Sequence, residues 1–208
     1  MAAPPEASIK MLSGTWLLDK KMSGDMDSAF KLQGLSWLKR KAIGMSTINT
    51  EFTQFTETDP NTNTPVVHLT ADQYAAGGTS PITESRVLDW ADYSRADRIF
   101  GNIVVRSRFV NGVDDGKGNI RPDLDLQTAG SDGSFLKEIS SASGEKLDED
   151  LSALFIQDYI VSSDAAWTTE QIWAFEFIDG ERFLTRRALI SNGSKFMEIR
   201  VVYRFVKN

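Results

Sequence analysis

The sequence contains no cysteine and only one histidine, His68. Without cysteine there can be no disulfide bond, no thiolate metal site and no cysteine nucleophile. A single histidine cannot form a multi-histidine metal centre or a motif of the H-E-x-x-H type. The glycines after the predicted strand ending at Val110 form no G-x-G-x-x-G motif and precede no predicted helix, so they do not indicate a phosphate-binding loop. We therefore expect neither a metal nor a cofactor.

Excess positive charge and long apolar runs are also missing. The chain has 23 Lys and Arg against 29 Asp and Glu, which gives a net charge of −6. Phosphate backbones are bound by clustered Lys and Arg, so a nucleic-acid partner is not expected. No apolar run approaches the ~18 residues that a membrane span needs. The first residues lack the basic region and apolar stretch of a secretion signal, and we expect a cytoplasmic protein.

Most of the chain follows the period-two pattern of β-strands. From Thr47 onward, apolar and β-branched residues alternate with polar ones. Asp179-Gly180 and Asn192-Gly193 separate alternating runs, and such dipeptides are strong signals for tight hairpins. The runs amount to about nine strands, with a short helix pair within residues 25–44. A closed sheet hides the edges that so many strands expose, so the sequence predicts a mostly β fold, a closed antiparallel β-barrel.

Three segments differ in composition. We expect residues 1–10 to form a flexible arm and residues 11–208 a single barrel domain, a usual size for one domain. Residues 111–150 form an acidic, glycine-rich insertion with few large apolar residues. A structureless loop of about 40 residues is uncommon in a compact domain. The insertion is therefore either a mobile surface excursion or a lid over the barrel mouth.

The N-terminal third carries a family resemblance. Gly14-Thr15-Trp16 opens the first strand, and a helix pair containing Leu32-Gln33-Gly34 and Arg40-Lys41-Ala42 follows it. This order resembles the intracellular fatty-acid-binding proteins. Because G-x-W also resembles the lipocalin signature, the resemblance is to the wider calycin group, which includes both families. Residues 97–108 and 171–182 look similar to small uncharacterised fungal calycin-like proteins, some of them similar to proteins of natural-product pathways. The resemblance implies a barrel cavity that binds a small hydrophobic molecule.

The last strand departs from that family. Fatty-acid-binding proteins carry R-x-Y there, and its Arg and Tyr hold the ligand carboxylate. In this chain Arg200 and Tyr203 are separated by one residue too many. Strand periodicity places Tyr203 on the apolar face with Val201, and Arg200 on the opposite face. This spacing argues against a simple fatty acid as the ligand.

The strand around residue 175 leaves two alternatives. One face carries Trp173, Phe175 and Phe177, and the other carries Glu176. If the aromatic face lines the cavity, Glu176 lies outside; if Glu176 lies inside, a buried carboxylate needs a partner such as Arg187 or Arg106. The first alternative is favoured. The predicted ligand-binding residues are Trp173, Phe175, Phe177, Ile199, Val201, Tyr203, Phe205, Arg106 and Arg187.

Two residues are candidates for catalysis, His68 and Tyr203. His68 lies on an alternating strand and could exchange protons near neutral pH, although a structural role is the simpler alternative. Two functions fit the sequence. One is a cofactor-independent cyclase or isomerase, resembling a pericyclase, that acts on a terpenoid or polyketide intermediate of secondary metabolism. The alternative is a non-catalytic carrier of a lipid or other small molecule.

Overall fold

The computed structural model describes residues 1–60, 62–76, 80–141 and 150–207. Within these ranges the chain forms twelve strands and three short helices. In chain order they are β1 (Gly14–Leu18), α1 (Met26–Leu32), α2 (Trp37–Met45), β2 (Ile48–Thr58), β3 (Pro65–Ala75), β4 (Ile82–Val87), β5 (Tyr93–Asp97), β6 (Gly101–Val110), β7 (Gly112–Asp114), β8 (Ile120–Pro122), α3 (Ser134–Lys137), β9 (Phe155–Ser162), β10 (Trp167–Ile178), β11 (Glu181–Asn192) and β12 (Lys195–Lys207).

Ten strands form one antiparallel sheet in the order β4-β3-β2-β1-β12-β11-β10-β9-β6-β5. β1 pairs with both β2 and β12, so the first and last strands of the chain are neighbours. The two edge strands, β4 and β5, approach each other where Arg95 Nη1 donates to the Ser85 carbonyl at 2.9 Å. The sheet is thus nearly closed, and the predicted mostly β, calycin-like barrel with an N-terminal helix pair is confirmed.

The sheet has one strand more than predicted. The additional strand is β5. Its residues are mostly polar and do not alternate with apolar ones, so the period-two pattern predicts a loop there. β5 is short and pairs in register with β6, from Tyr93 opposite Val105 to Asp97 opposite Gly101. Edge strands are often short and polar because a long apolar edge would pair with other chains.

The two C-terminal hairpins follow from their turn residues. Asp179 and Gly180 both have positive φ, 51° and 81°, as a type I′ turn requires, and they connect Ile178 to its partner Glu181. Gly193, with φ 62°, opens the two-residue turn between Asn192 and Lys195. These turns fix the register of the three longest strands and therefore decide which side chains face the barrel interior.

Residues 1–10, the predicted N-terminal arm, are packed against the barrel. Ala3, Ala7 and Ile9 are buried in the same apolar cluster as Trp16. The guanidinium of Arg182 donates to the carbonyls of Pro4 and Ala7, both at 2.9 Å. The segment closes the base of the barrel because its small apolar residues cover the Trp16 cluster.

The described part of the insertion packs on the outer face of the sheet. Its strands β7 and β8 and helix α3 place Ile120, Leu136 and Ile139 in an apolar cluster with Ile172 and Leu189 of the barrel wall. We call residues 111–141 the cover segment. Residues 142–149 of the predicted insertion are outside the described residues.

Two buried carboxylates of β10 hold the cover segment. Glu170, with no exposed surface, accepts hydrogen bonds from the backbone of Gln127 at 3.0 Å and of Thr128 at 2.8 Å. Glu176 pairs with Arg187 at 2.5 Å, and Arg187 also donates to the Phe135 carbonyl at 3.0 Å. Both carboxylates are thus satisfied by partners that tie the segment to the barrel.

The helix pair covers the other end of the barrel. Each helix starts at a side-chain cap: Asp25 accepts from Ser28 N at 3.0 Å, and Ser36 caps α2. Lys20 Nζ donates to the Ile43 and Gly44 carbonyls at the end of α2, which suits a cation at a helix C-terminus. Within the described ranges, no helix is long and apolar enough to span a membrane.

Candidate ligand cavity

A partly open cavity of about 300 Å³ lies between the helix pair and the barrel wall. Its upper part is apolar, formed by both helices, the β5–β6 turn and the facing strands. The apolar lining consists of Leu18, Met26, Ala29, Phe30, Ala42, Ile43, Ile48, Ala75, Ile82, Ile99, Phe100, Ile103, Ile160, Trp167, Ala188, Ile190, Ile199 and Val201. Small-molecule sites are typically concave, mostly apolar spaces of this kind with a few fixed polar groups.

Four polar residues form the lower end, which we call the cavity floor: Glu84, Gln171, Arg186 and Tyr203. Other polar residues of the lining are Gln33, Ser46, Gln73 and Thr169. Arg186 lies at its centre. Its Nε donates to Gln171 Oε1 at 3.2 Å and its Nη1 donates to the Tyr203 hydroxyl at 3.1 Å. Its Nη2 lies 3.5 Å from Glu84 Oε2. Three residues from three strands therefore fix the plane of one guanidinium group.

A second layer supports the floor from below. Asp158 has no exposed surface and its Oδ2 accepts from Arg86 Nε at 2.8 Å, Gln171 Nε2 at 3.0 Å and Trp173 Nε1 at 2.9 Å. Two guanidinium groups contact the Trp173 ring, with Cζ of Arg86 4.9 Å and Cζ of Arg186 4.2 Å from the ring centroid. Because Asp158 binds the amide nitrogen of Gln171, the amide oxygen is turned toward Arg186.

Opposite charges dominate the electrostatics of this region. Burial by itself disfavours the charged form of Glu84, but the guanidinium groups of Arg186, Arg86 and Arg95 outweigh burial and lower its pKa to about 2. Burial alone would lower the pKa of Arg86, yet the carboxylates of Asp158 and Glu84 raise it. Both groups of the Glu84–Arg86 pair, 2.7 Å apart, are therefore charged at physiological pH.

Arg95 and Asp97 complete the charged lining. Arg95 Nη2 lies 3.8 Å from Asp97 Oδ2. Burial, with a contribution from Arg86, lowers the pKa of Arg95. Two buried guanidinium nitrogens, Arg86 Nη1 and Arg95 Nε, have no hydrogen-bond acceptor among the residues that the structure describes.

Three of the residues predicted to bind ligand line the cavity: Ile199, Val201 and Tyr203. Three others point into the barrel but lie below the floor, in the cluster that contains Trp16: Trp173, Phe175 and Phe205. The inward face of β10 is therefore the aromatic one. Phe177, at the end of that strand, is 60% exposed and has left the interior.

The remaining candidates lie on the outer surface of the sheet. Arg106 forms an exposed ion pair with Asp92, and Arg187 is the partner of Glu176 beneath the cover segment. His68 stacks on the Phe55 ring at 5.1 Å. The inward neighbours of these residues along their strands are Ser107, Arg186 and Leu69, because a shift of one residue changes the face of a strand.

The floor contains residues that the sequence-based candidates omit. Arg186 is opposite Val201 in the β11–β12 ladder, so the register of the Gly193 turn, combined with an inward Val201, identifies it as the inward arginine. Glu84 and Asp158 come from strands whose periodicity is weak. Their meeting with Arg86 spans the barrel, and such contacts have no local signal in the sequence.

Comparisons with known proteins add relatives along nearly the whole chain. No family model matches. The chain is 24% identical over 205 residues to a "probable pericyclase" of Mollisia scopiformis, covering 99% of this chain and 95% of that protein. It is 23% identical over 206 residues to a pericyclase of an Acremonium species, covering 99% of this chain and 97% of that protein.

Solved structures with similar folds include lipid-binding proteins. A lipid binding protein of Caenorhabditis elegans has a TM-score of 0.48 at 11% identity, covering 97% of this chain and 99% of that one. A fatty-acid-binding protein from Drosophila melanogaster brain has a TM-score of 0.48 at 14% identity, covering 91% and 95%. By its strand order and helix pair this chain is a calycin-like β-barrel, and its sequence is similar to those of two fungal proteins named as pericyclases.

Proposed function

We propose that the chain binds an apolar terpenoid or polyketide intermediate in its cavity and accelerates a cyclisation or isomerisation of it without a cofactor, as a pericyclase. One observation carries the proposal: a largely apolar cavity ends in a floor of hydrogen-bonding groups that are already fixed by the protein. The similarity to two fungal proteins named as pericyclases supports the same reaction class.

The apolar walls supply the first part of the rate enhancement. A flexible polyene must lose conformational freedom before its reacting carbons meet, and a cavity that binds only a folded conformation removes that entropy in advance. The helix pair closes the cavity with Phe30 of α1 packed near Phe100 of the β5–β6 turn, 6.1 Å between ring centroids.

The cavity floor supplies the second part of the rate enhancement. Tyr203 accepts a hydrogen bond from Arg186, which leaves the proton of its hydroxyl for an oxygen of the substrate. A donor held in place stabilises charge that develops on such an oxygen in the transition state without reorganising. In this proposal Tyr203 touches the substrate and Arg186 positions Tyr203, whereas Ile199 and Val201 shape the cavity. His68, Arg106 and Arg187 have no role because they lie outside it.

The reaction class gives a direct assay. A pericyclic cyclisation redistributes bonds within one molecule, so the product has the same mass as the substrate. Purified protein should be incubated with an extract of a host strain that lacks the gene, with no cofactor added. Liquid chromatography with mass spectrometry should then show one compound decreasing while an isomer of equal mass increases.

Two tyrosine variants test the site. Tyr203→Phe removes one hydroxyl and should reduce the rate about 100-fold, as loss of a fixed donor does elsewhere. Tyr93→Phe removes a hydroxyl from a half-exposed tyrosine that pairs with Asp89 on the surface, and should leave the rate unchanged. A ligand recovered intact from the protein with no isomer formed would instead identify a carrier.

A further inference from the structure

The charges around the cavity balance. Among the described residues, the lining and the layer beneath the floor contain three arginines and three carboxylates. They form the pairs Arg86–Asp158 at 2.8 Å, Arg186–Glu84 at 3.5 Å and Arg95–Asp97 at 3.8 Å. The low pKa of Glu84 keeps its charge in place across the physiological range. The cavity therefore has no net charge to offer to an ionised ligand.

The central guanidinium is also held by three contacts. Each nitrogen of Arg186 faces an acceptor: Gln171, the Tyr203 hydroxyl, and Glu84. A carboxylate ligand is bound strongly when two parallel N–H groups of one arginine are free to meet its two oxygens. A ligand carboxylate at Arg186 would compete with Glu84, the carboxylate that already lies 3.5 Å from its Nη2.

The two orphaned guanidinium nitrogens do not alter this balance. Arg86 Nη1 and Arg95 Nε are enclosed by protein, and each belongs to an arginine that already has a carboxylate partner. Burying a further anion beside three existing carboxylates carries a large desolvation cost unless a cation is available to compensate it. By contrast, the Tyr203 hydroxyl can satisfy a single neutral oxygen.

We propose that the cavity selects an electrically neutral ligand, an apolar molecule bearing a carbonyl or hydroxyl oxygen, and discriminates against carboxylates. This inference rests on the proposed function, because it concerns the ligand of the same cavity. It separates the chain from carriers that hold an ionised acid, and it defines the substrate as a neutral, oxygen-bearing intermediate whose oxygen meets Tyr203.

A pair of fluorescent probes with one skeleton tests the selection. cis-Parinaric acid and its methyl ester differ only in the charged group, and binding of each is followed by polyene fluorescence at pH 8. The ester should bind at least ~10-fold more tightly than the acid. As the pH is lowered toward the pKa of the acid, its Kd should fall toward that of the ester. Equal affinities at pH 8, or tighter binding of the acid, would overturn the inference.

Charge variants locate the effect. Glu84→Gln removes one carboxylate from the floor and should reduce the ester-to-acid preference about 10-fold, because Arg186 then lacks a counter-charge. Glu198→Gln removes the same charge from an exposed position on β12 and should leave the preference unchanged. An unchanged preference in Glu84→Gln contradicts the inference, and the wild-type comparison decides the matter if that variant does not fold.

The outcomes also separate the two proposals. If both probes bind equally, the cavity function stands and the selection for neutral ligands fails. If neither probe binds to folded protein, the proposed cavity function fails and the selection fails with it. If the ester is preferred but no isomer forms in the extract assay, the selection stands for a carrier.

Discussion

Glu84 shows how one carboxylate can be both costly and stabilising. It is partly buried, which by itself favours the protonated form, but Arg186, Arg86 and Arg95 lower its pKa to about 2 from an ordinary value of 4.5. A group whose pKa is lower in the folded than in the unfolded state makes stability rise with pH between the two values. The stabilisation is complete above the unfolded value and is lost as the pH falls through the folded one.

Stability should therefore decrease on acidification between about pH 4.5 and about pH 2, with Glu84 contributing up to about 3 kcal/mol at neutral pH. Glu84→Gln cannot titrate, so it should be less stable than wild type at pH 7 and should lose less stability in that window. Urea unfolding at pH 7, 4 and 3 measures both. Parallel pH profiles for the two proteins would show that Glu84 makes no such contribution.

Adjacent residues on a strand show where prediction from sequence ends. The pattern Arg186-Arg187 predicts that at least one of the two arginines faces the interior, and Arg187 is the one that the sequence predicts to bind ligand. The structure places Arg186 in the floor and Arg187 on the outer face with Glu176. Local periodicity gives alternation, but the choice of face depends on what covers each side of the sheet. For Tyr203 the apolar neighbours Ile199 and Val201 indicate which face of β12 turns toward the barrel interior.

At the scale of elements, the cover segment explains a strand that is apolar on both faces. In β10, Trp173 and Phe175 face the barrel, while Ile172 and Ala174 face outward and are equally buried. Strands covered on both sides have near-continuous apolar sequences, so this pattern was a signal for a cover. The glycine- and aspartate-rich composition of the segment itself gave no such signal, because its few apolar residues are spread along the chain.

Glu170 is predicted to be the main polar attachment of the cover segment. In Glu170→Gln an NH₂ group replaces one oxygen, so the remaining oxygen cannot accept from all three donors, Gln127 N, Thr128 N and Gln157 Nε2, at a cost of about 1–3 kcal/mol. Hydrogen exchange should become faster in residues 124–139. Because the segment lies outside the cavity, the affinity for parinaric methyl ester should not change.

Glu138→Gln makes the same chemical change at an exposed site in the same segment and serves as the control. It should leave hydrogen exchange as in wild type. If Glu170→Gln also left exchange unaltered, the apolar cluster around Leu136 and Ile139 would be sufficient to attach the segment. If it lowered probe affinity, the cover segment and the cavity would be coupled through β10.

At the scale of the whole molecule, the barrel was predictable because its signals are local and repeated. Asp179-Gly180 and the Gly193 turn set two hairpins, and the G-T-W strand with its helix pair gave the family resemblance. These signals together predict the helix pair, the C-terminal meander and a closed sheet. What could not be predicted are contacts across the barrel, such as Arg86 with Asp158, and the packing of residues 1–10 against the base.

The N-terminal segment closes a barrel whose other end is closed by helices, so its removal should expose the base of the core. Deletion of residues 1–9 removes the buried Ile9 side chain and the two carbonyls that Arg182 binds, and should lower the free energy of unfolding by about 2–4 kcal/mol. Arg182→Met keeps the segment but removes its attachment, and should lose part of that stability. Urea midpoints measure both losses, and a red shift of tryptophan emission should accompany the deletion because Trp16 gains contact with water.

Binding of parinaric methyl ester should persist, since the cluster of Trp16, Phe52 and Trp173 still separates the base from the cavity floor. An unchanged midpoint after deletion would mean that residues 1–9 lie on the barrel without stabilising it.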